Sequence, residues 1–148
     1  MSLSPSKALK GYLGLGSALS SAQLDVKTQE RVALAVAEIN GCDYCLSAHT
    51  YLGRNVAKLD DAEITANRNG TSSDLKASAA VGFAAQIVKA RGHVTDEELA
   101  AVVAAGFSAA ETVEIVLTVA LNTFTNYINE VAKTEIDFPV VTTRRAAA

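Results

Sequence analysis

Several residue types are scarce in this chain, and each scarcity argues against a class of protein. Its 148 residues include no tryptophan, two cysteines, two histidines and two prolines. Charged residues make up 20% of the chain, the formal net charge is −3, and no basic cluster exists beyond Arg144-Arg145. Because nucleic-acid binding needs a basic face that releases counterions from phosphates, we expect no nucleic-acid partner.

Long apolar runs are also missing. The longest, near residues 100–107 and 113–121, fall well short of the roughly 20 residues that a membrane span needs, so no membrane association is expected. No apolar run of signal-peptide type follows Lys7 and Lys10. We therefore expect a reducing cytoplasm, where a Cys-x-x-Cys pair is more often catalytic or metal-binding than a structural staple.

Clean period-two alternation is missing too, and alanine is abundant while aromatic residues make up only 5% of the chain. These features predict an all-α fold. Pairs with the sequence of a capping box begin three of the predicted helices, at Asp60–Glu63, Thr95–Glu98 and Ser108–Glu111. Glycines stand where a left-handed residue would end a helix, at positions 41, 70, 92 and 106.

The predicted helices lie near 5–20, 25–39, 42–53, 60–68, 73–90, 95–105 and 108–134. A tail from 136 to 148 is expected to be extended or loose. No linker, low-complexity block or repeat divides the chain, so we predict one domain over 1–148 with its core at about 5–134.

Two predicted helices are apolar on more than one face, in the segments 30–39 and 113–121. A helix that is apolar all round must be buried on all sides. In a chain this short, packing between subunits is the simplest solution, and we expect an obligate homo-oligomer.

The chain does contain one stretch of concentrated chemistry, Gly-Cys-Asp-Tyr-Cys-Leu-Ser-Ala-His at 41–49. If it is helical, Cys42, Cys45 and His49 share one stripe, because residues three and four apart are neighbours on a helix surface. A cysteine in the first turn is stabilised as a thiolate by unpaired backbone N–H groups, and a histidine can accept or orient a proton. The stretch therefore predicts a dithiol redox site.

The preceding helix supplies Glu30 as a further candidate. If Asn40-Gly41 forms a tight turn between antiparallel helices, Glu30 and His49 reach similar heights on the two helices. Glu30 also lies on the apolar side of its helix, where partial removal from water favours the role of a general base. Glu38 would instead lie at the turn beside Cys42.

This pattern, Glu30 followed after eleven residues by Cys42-x-x-Cys45-x-x-x-His49, resembles the alkyl hydroperoxidase D (AhpD) family within the carboxymuconolactone decarboxylase-like superfamily. The resemblance covers about residues 5–130 and implies an all-helical fold, with the Cys-x-x-Cys helix in a helical hairpin, and assembly into trimers or hexamers. It implies that Cys45 attacks peroxide, that Cys42 resolves the product, and that His49 and Glu30 relay protons. Tyr44 occupies the position of a second histidine in the best-known subgroup.

The activity that the resemblance implies is thiol-dependent reduction of alkyl hydroperoxides, with an antioxidant role. The substrate would be a small peroxide, and the reductant a dithiol such as a protein-bound lipoyl group or a thioredoxin-like protein. Neither a cofactor nor a metal is implied.

Other interpretations of the cysteines stay open. They could be core residues, or they could bind zinc with His49, although no fourth ligand is evident. The same fold accommodates lyases of the carboxymuconolactone decarboxylase type, which do not depend on a dithiol. A third hypothesis is a non-enzymatic redox protein whose disulfide changes its assembly.

Several polar residues have simpler interpretations as well. Glu30 could pair with Lys27 or Arg31 on the surface, and His93 is typical of a solvated loop. Asparagines recur at 122, 126 and 129 on an otherwise apolar helix. They could line a pocket, bond across an interface, or be buried amides satisfied by neighbouring backbone.

Overall fold

The computed structural model describes residues 6–144, and these residues form seven α-helices and no β-strand. The helices are α1 (Lys7–Ser20), α2 (Val26–Asn40), α3 (Asp43–Asn55), α4 (Asp61–Arg68), α5 (Leu75–Lys89), α6 (Asp96–Ala104) and α7 (Ala109–Ala132). The all-α prediction is confirmed, with every helix end inside 6–144 within two residues of its predicted position. The predicted start at residue 5 and the end of the tail at 145–148 lie outside the described residues.

Local signals explain most of these ends. Complete capping boxes begin α6, at Thr95 with Glu98, and α7, at Ser108 with Glu111. The predicted box at α4 is wrong in its second half: Asp60 caps the N–H of Glu63 at 2.8 Å, but the Glu63 side chain turns into the protein and not back to Asp60. The four glycines expected to end helices all have positive φ, from 71° to 103°.

The central helix of the fold is α2, which contacts α3, α4, α5 and α7. Every residue from Arg31 to Ala37 is buried. The apolar character of the segment 30–39 is therefore satisfied within one chain. This corrects the expectation that subunit packing is needed to cover that helix.

The last helix differs from α2 because it keeps an apolar face in solvent. Buried positions on α7, such as Ile115 and Val119, pack into the core between α2, α5 and α6. Large apolar side chains on the opposite side are exposed: Val113, Val116, Phe124, Tyr127, Ile128 and Val131. This exposed set of side chains is called the α7 outer face below.

The chain after α7 has no regular secondary structure as far as Arg144, and it runs back over the start of α3. Val141 N–H donates to Ser47 Oγ at 2.9 Å, and the N–H and hydroxyl of Thr143 both donate to Asp43 Oδ1 at 2.8 Å. The predicted tail is thus irregular but not loose up to Arg144, because α3 offers polar side chains that pair with its backbone. Residues 136–144 are called the strap below.

Within residues 6–144, no single helix has both the length and the apolar composition to cross a membrane. Only α6 and α7 taken together pass that test, as a pair bent by 117°.

Candidate redox site

A left-handed glycine fixes the turn between α2 and α3. Gly41 has φ 71° and donates its N–H to Glu38 O, and Cys42 N–H donates to Ala37 O at 3.1 Å. Glycine adopts this backbone conformation without the steric penalty that a side chain would bring. The turn sends α3 back along α2, so that residues far apart in sequence face each other.

Both cysteines lie at the start of α3 and are joined by a disulfide. Cys42 is the N-cap of the helix, and its Sγ accepts the Cys45 N–H at 3.2 Å. Cys42 is fully buried and Cys45 is 3% exposed, in an apolar cluster that includes Leu34, Leu46 and Ile64. The dithiol therefore lies almost entirely out of water.

The structure brings the other two predicted site residues together. His49 Nδ1 lies 2.6 Å from Glu30 Oε1, and both side chains are largely buried. His49 is also one helical turn beyond Cys45 on α3. Arg31 pairs with Glu63 at 3.0 Å and not with Glu30, so the surface pairing considered for Glu30 with Arg31 is absent. The roles of these residues stay predictions.

Glu38, the competing carboxylate, points away from His49. Its Oε2 accepts from Arg68 Nε at 2.9 Å, and its Oε1 accepts from the Arg144 N–H at 2.8 Å. It therefore joins α2 to α4 and to the strap. His93 is exposed in the connection between α5 and α6, as the sequence predicts.

A cavity of about 310 Å³ opens beside the Glu30–His49 pair. It lies between α1, α2, α3 and α7, and apolar side chains such as Leu19, Ala33 and Leu121 form much of its wall. Glu30 and His49 are among the polar groups on that wall, together with Asn122. A molecule with an apolar body and a small polar group would fit these surroundings.

Tyr44 is held by the strap. Its hydroxyl is hydrogen-bonded to the Asp137 side chain, and its ring meets the Phe138 ring edge-on with the centroids 5.9 Å apart. Burial, followed by the charge of Asp137 and the hydrogen bond to it, raises the pKa of Tyr44 above its usual value of 10.0. The phenol is therefore neutral near pH 7 and acts here as an attachment point for the strap.

The three asparagines of α7 have three different environments. Asn122 Nδ2 donates to Thr118 O at 2.8 Å, which is the backbone-satisfied interpretation. Asn126 Oδ1 accepts from Asn40 at 2.9 Å. Asn129 Nδ2 lies 3.4 Å from Cys45 Sγ and 3.0 Å from Thr125 O. One amide of the series therefore contacts the dithiol.

Sequence reasoning missed the role of Glu63 as a buried hydrogen-bond centre. Its carboxylate accepts from Ser72, from the Ser73 N–H and hydroxyl, from Asn67 and from Arg31. Burial acts to raise its pKa, but the hydrogen bonds from Ser72, Ser73 and Asn67 outweigh that effect and lower it from 4.5 to about 2. The only signal in the sequence was the Asp60–Glu63 spacing, which indicated a cap.

Metal ligation was one of the open interpretations of the cysteines. In the chain from Ser6 to Arg144, no three His, Cys, Asp or Glu side chains are grouped so that they could hold a metal ion.

Comparison with known families decides the wider relationship. Residues 7–90 match the carboxymuconolactone decarboxylase family, a range that includes Glu30, both cysteines and His49. The chain belongs to that family. Membership agrees with the resemblance drawn from the Cys-x-x-Cys pattern.

Known proteins resemble this chain over different fractions of its length. A protein of Haemophilus influenzae is 48% identical over 44 residues, which are 29% of this chain and 39% of that protein, so the match spans well under half of the relative. A solved structure from Agrobacterium tumefaciens, a protein of unknown function for which an antioxidant-defence role as AhpD has been proposed, has a TM-score of 0.78. Its identity is 22%, over 91% of this chain and 92% of that one.

The debrominase Bmp8, solved as a cysteine-to-alanine variant in complex with 2,3,4-tribromopyrrole, has a TM-score of 0.74 at 18% identity, over 86% of this chain and 70% of that one. At such identities these structures show a shared fold, which is AhpD-like. The reaction of this protein has to be inferred from its own residues.

Proposed function

We propose that this protein is a thiol-dependent peroxidase that reduces organic hydroperoxides with the Cys42–Cys45 dithiol. The observation that carries the proposal is the pairing of His49 with Glu30 at 2.6 Å, one helical turn from Cys45. A buried thiol needs a base to ionise, and this carboxylate–imidazole pair could take its proton, directly or through a water.

In the proposed reaction, Cys45 loses its proton to the His49–Glu30 pair, and the thiolate attacks the terminal peroxide oxygen. The O–O bond breaks, the departing alkoxide takes a proton back from the pair, and Cys45 becomes a sulfenic acid. Cys42 then attacks that sulfur, water leaves, and the disulfide forms. An external dithiol, such as a lipoyl group or a thioredoxin-like protein, returns the pair to thiols by exchange.

The cavity beside Glu30 and His49 supports a substrate with an apolar body. Its wall is mostly apolar, and among the described residues that line it there is no lysine or arginine for an anionic substrate. An uncharged alkyl hydroperoxide fits better than a carboxylated lactone. This is the reason to prefer the peroxidase over a decarboxylase-type lyase, which would also leave the dithiol without a role.

The decisive test is a stoichiometric titration of the fully reduced protein with cumene hydroperoxide, followed by intact mass. We expect one equivalent to be consumed, with a loss of about two mass units per chain as both thiols become a disulfide. We also expect turnover with dihydrolipoamide, and its loss in Cys45→Ser. A Cys45→Ser protein that kept full dithiol-dependent peroxidase activity would contradict the proposal.

The two histidines offer a matched control for the relay. His49→Asn is expected to slow peroxide consumption about 10²-fold or more, a typical contribution of general acid–base catalysis. His93→Asn is expected to leave the rate unchanged, because His93 is exposed on a connecting loop. Equal rates for the two variants would exclude His49 from the reaction.

Reductive debromination is a second candidate, favoured by the structural similarity to Bmp8. A dithiol supplies the two electrons that either reaction needs. Assaying 2,3,4-tribromopyrrole beside the hydroperoxide separates the two activities. A protein that consumes neither compound, but whose oligomer size differs between oxidised and reduced samples, would instead be a non-enzymatic redox protein.

A further inference from the structure

Asn129 brings a polar side-chain group against the sulfur of Cys45. Its Nδ2 lies 3.4 Å from Cys45 Sγ, across from α7 to the first turn of α3. The residue is half-buried. The assignment of nitrogen and not oxygen to this position follows from the second contact, because Thr125 O, 3.0 Å away, is a pure acceptor.

That second contact fixes the orientation of the amide. One N–H is held by the Thr125 carbonyl, one helical turn earlier on α7, and the other is directed at the sulfur. The structure shows this contact with the disulfide sulfur, and the bond to the Thr125 carbonyl holds the amide in place whatever the oxidation state of Cys45. The donor is thus already oriented when the reduced sulfur acquires charge, so little side-chain ordering accompanies ionisation.

The surroundings of Cys45 make such a donor important. Cys45 is 3% exposed and packs in an apolar cluster, where water cannot solvate a thiolate. A hydrogen bond strengthens when its acceptor becomes charged, so the Asn129 amide favours the thiolate over the thiol. His49 takes the proton away, but it does not replace the lost hydration of the sulfur.

We infer that Asn129 is a catalytic residue, whose side-chain amide donates to the Cys45 thiolate and so sets the fraction of attacking sulfur that is ionised near neutral pH. The inference rests on the proposed function in naming Cys45 as the attacking thiol. The contact itself does not depend on which oxidant is consumed.

The test titrates Cys45 alone. The full sequence has two cysteines, so a Cys42→Ser background leaves Cys45 as the single thiol. In that background, the rate of alkylation by iodoacetamide is measured against pH for the Cys42→Ser parent and for its Asn129→Leu and Asn129→Asp variants. Intact mass checks that each protein carries a single adduct. We expect the midpoint of the curve to rise by about one pH unit in Asn129→Leu, a tenfold change in the ionisation equilibrium. Asn129→Asp, which is isosteric but negatively charged, should raise it further.

The shape of the two curves separates a chemical role from a structural one. Below the midpoint, Asn129→Leu should react about threefold more slowly, because the tenfold loss of thiolate is partly offset by its greater intrinsic nucleophilicity. Above the midpoint it should react about threefold faster for the same reason. Curves that cross in this way support the inference, since a merely loosened site would change the rate in one direction at every pH.

Asn55→Ala is the matched control. Asn55 also donates its amide to the carbonyl one turn earlier, Tyr51 O at 2.9 Å. It is exposed at the end of α3, however, and within residues 6–144 it makes no hydrogen bond to sulfur. Its curve should match the parent. If Asn129→Leu and Asn129→Asp both keep the parent midpoint while retaining the parent helix content by circular dichroism, the inference is overturned.

Peroxide assays in the Cys42-containing protein keep this inference apart from the proposed function. If the parent consumes no hydroperoxide but the Asn129 variants shift the alkylation midpoint, the proposed function fails and the role of Asn129 toward Cys45 stands. If the parent is an active peroxidase and kcat/KM of Asn129→Leu has the parent pH profile, the role of Asn129 fails alone.

Discussion

At the residue scale, Glu63 makes the stability of the fold depend on pH. Its pKa is about 2 in the folded protein against 4.5 ordinarily, so the folded state holds the charged form more tightly than the unfolded chain does. The stability that this charge contributes is fully present above about pH 4.5 and is lost as the pH falls through about 2. The lowering corresponds to roughly 3 kcal/mol.

We therefore predict that Glu63→Gln lowers the free energy of unfolding by on the order of 3 kcal/mol at pH 7, and that the difference from the parent shrinks as pH falls toward 2. Urea unfolding at several pH values measures it. Glu97→Gln, which changes an exposed carboxylate at the start of α6, serves as the control and should have little effect at any pH. A Glu63→Gln deficit as large near pH 2 as at pH 7 would mean that shape, and not charge, matters at this position.

Single residues also show where sequence reasoning stops. The Glu30–His49 contact could be expected, because both residues lie on helices joined by a recognisable turn and the rise per residue sets their heights. The partners of Tyr44 could not, because Asp137 and Phe138 belong to an irregular segment that no periodicity describes. The contact of Asn129 with Cys45 depends on how α7 is rotated against α3, which the recurrence of asparagine alone does not fix.

At the scale of elements, the helices were predictable and their packing was less so. Caps and left-handed glycines are local signals, which explains the agreement at the starts of α6 and α7 and at Gly41. The strap carries no such signal, since its order comes from hydrogen bonds to side chains about a hundred residues earlier, such as Asp43 and Ser47.

The strap leads to a prediction about access to the disulfide. Val141 packs against the cluster that contains both cysteines, and Phe138 contacts Tyr44 and Tyr51 on α3. A chain ending at Glu135 should therefore have its disulfide reduced by dithiothreitol several-fold faster than the full chain, because thiol–disulfide exchange requires access to sulfur. Quenching with iodoacetamide and counting adducts by mass gives the rate.

A chain ending at Arg144 keeps every described contact of the strap and is the control for shortening the protein. Phe138→Ala is a milder variant, in case the longer truncation lowers the melting temperature. If both the Glu135 truncation and Phe138→Ala were reduced at the parent rate, the strap would not limit access to the dithiol.

At the scale of the whole molecule, the argument for self-association moves from α2 to α7. On sequence alone, both helices are candidates for subunit packing, because both are rich in apolar residues. The structure covers α2 within one chain and leaves the α7 outer face in solvent, with Val113, Tyr127 and Val131 each at least 60% exposed. Contiguous apolar surface of this kind is typical of interaction sites.

We accordingly predict a homo-oligomer, a trimer or hexamer of the 15.4 kDa chain, that buries the α7 outer face. Tyr127→Glu combined with Val131→Glu should dissociate it, because a charge placed in an apolar interface is left without water or a partner. Light scattering coupled to size-exclusion chromatography measures the mass. As a control, Lys89→Glu changes an exposed position on α5 away from this face. A parent protein that elutes as a monomer at micromolar concentration would contradict the prediction.

Cys42 has a consequence that reaches beyond its place in the dithiol. The residue is both half of a redox couple and the N-cap of α3, with its sulfur accepting the Cys45 N–H. Reduction breaks the S–S bond that ties this N-cap to the first turn of α3. The Cys45 N–H should therefore lose hydrogen-exchange protection when the pair is reduced. Amide hydrogen exchange in the first turn of α3 should therefore report whether the two cysteines are oxidised or reduced, without any substrate being present.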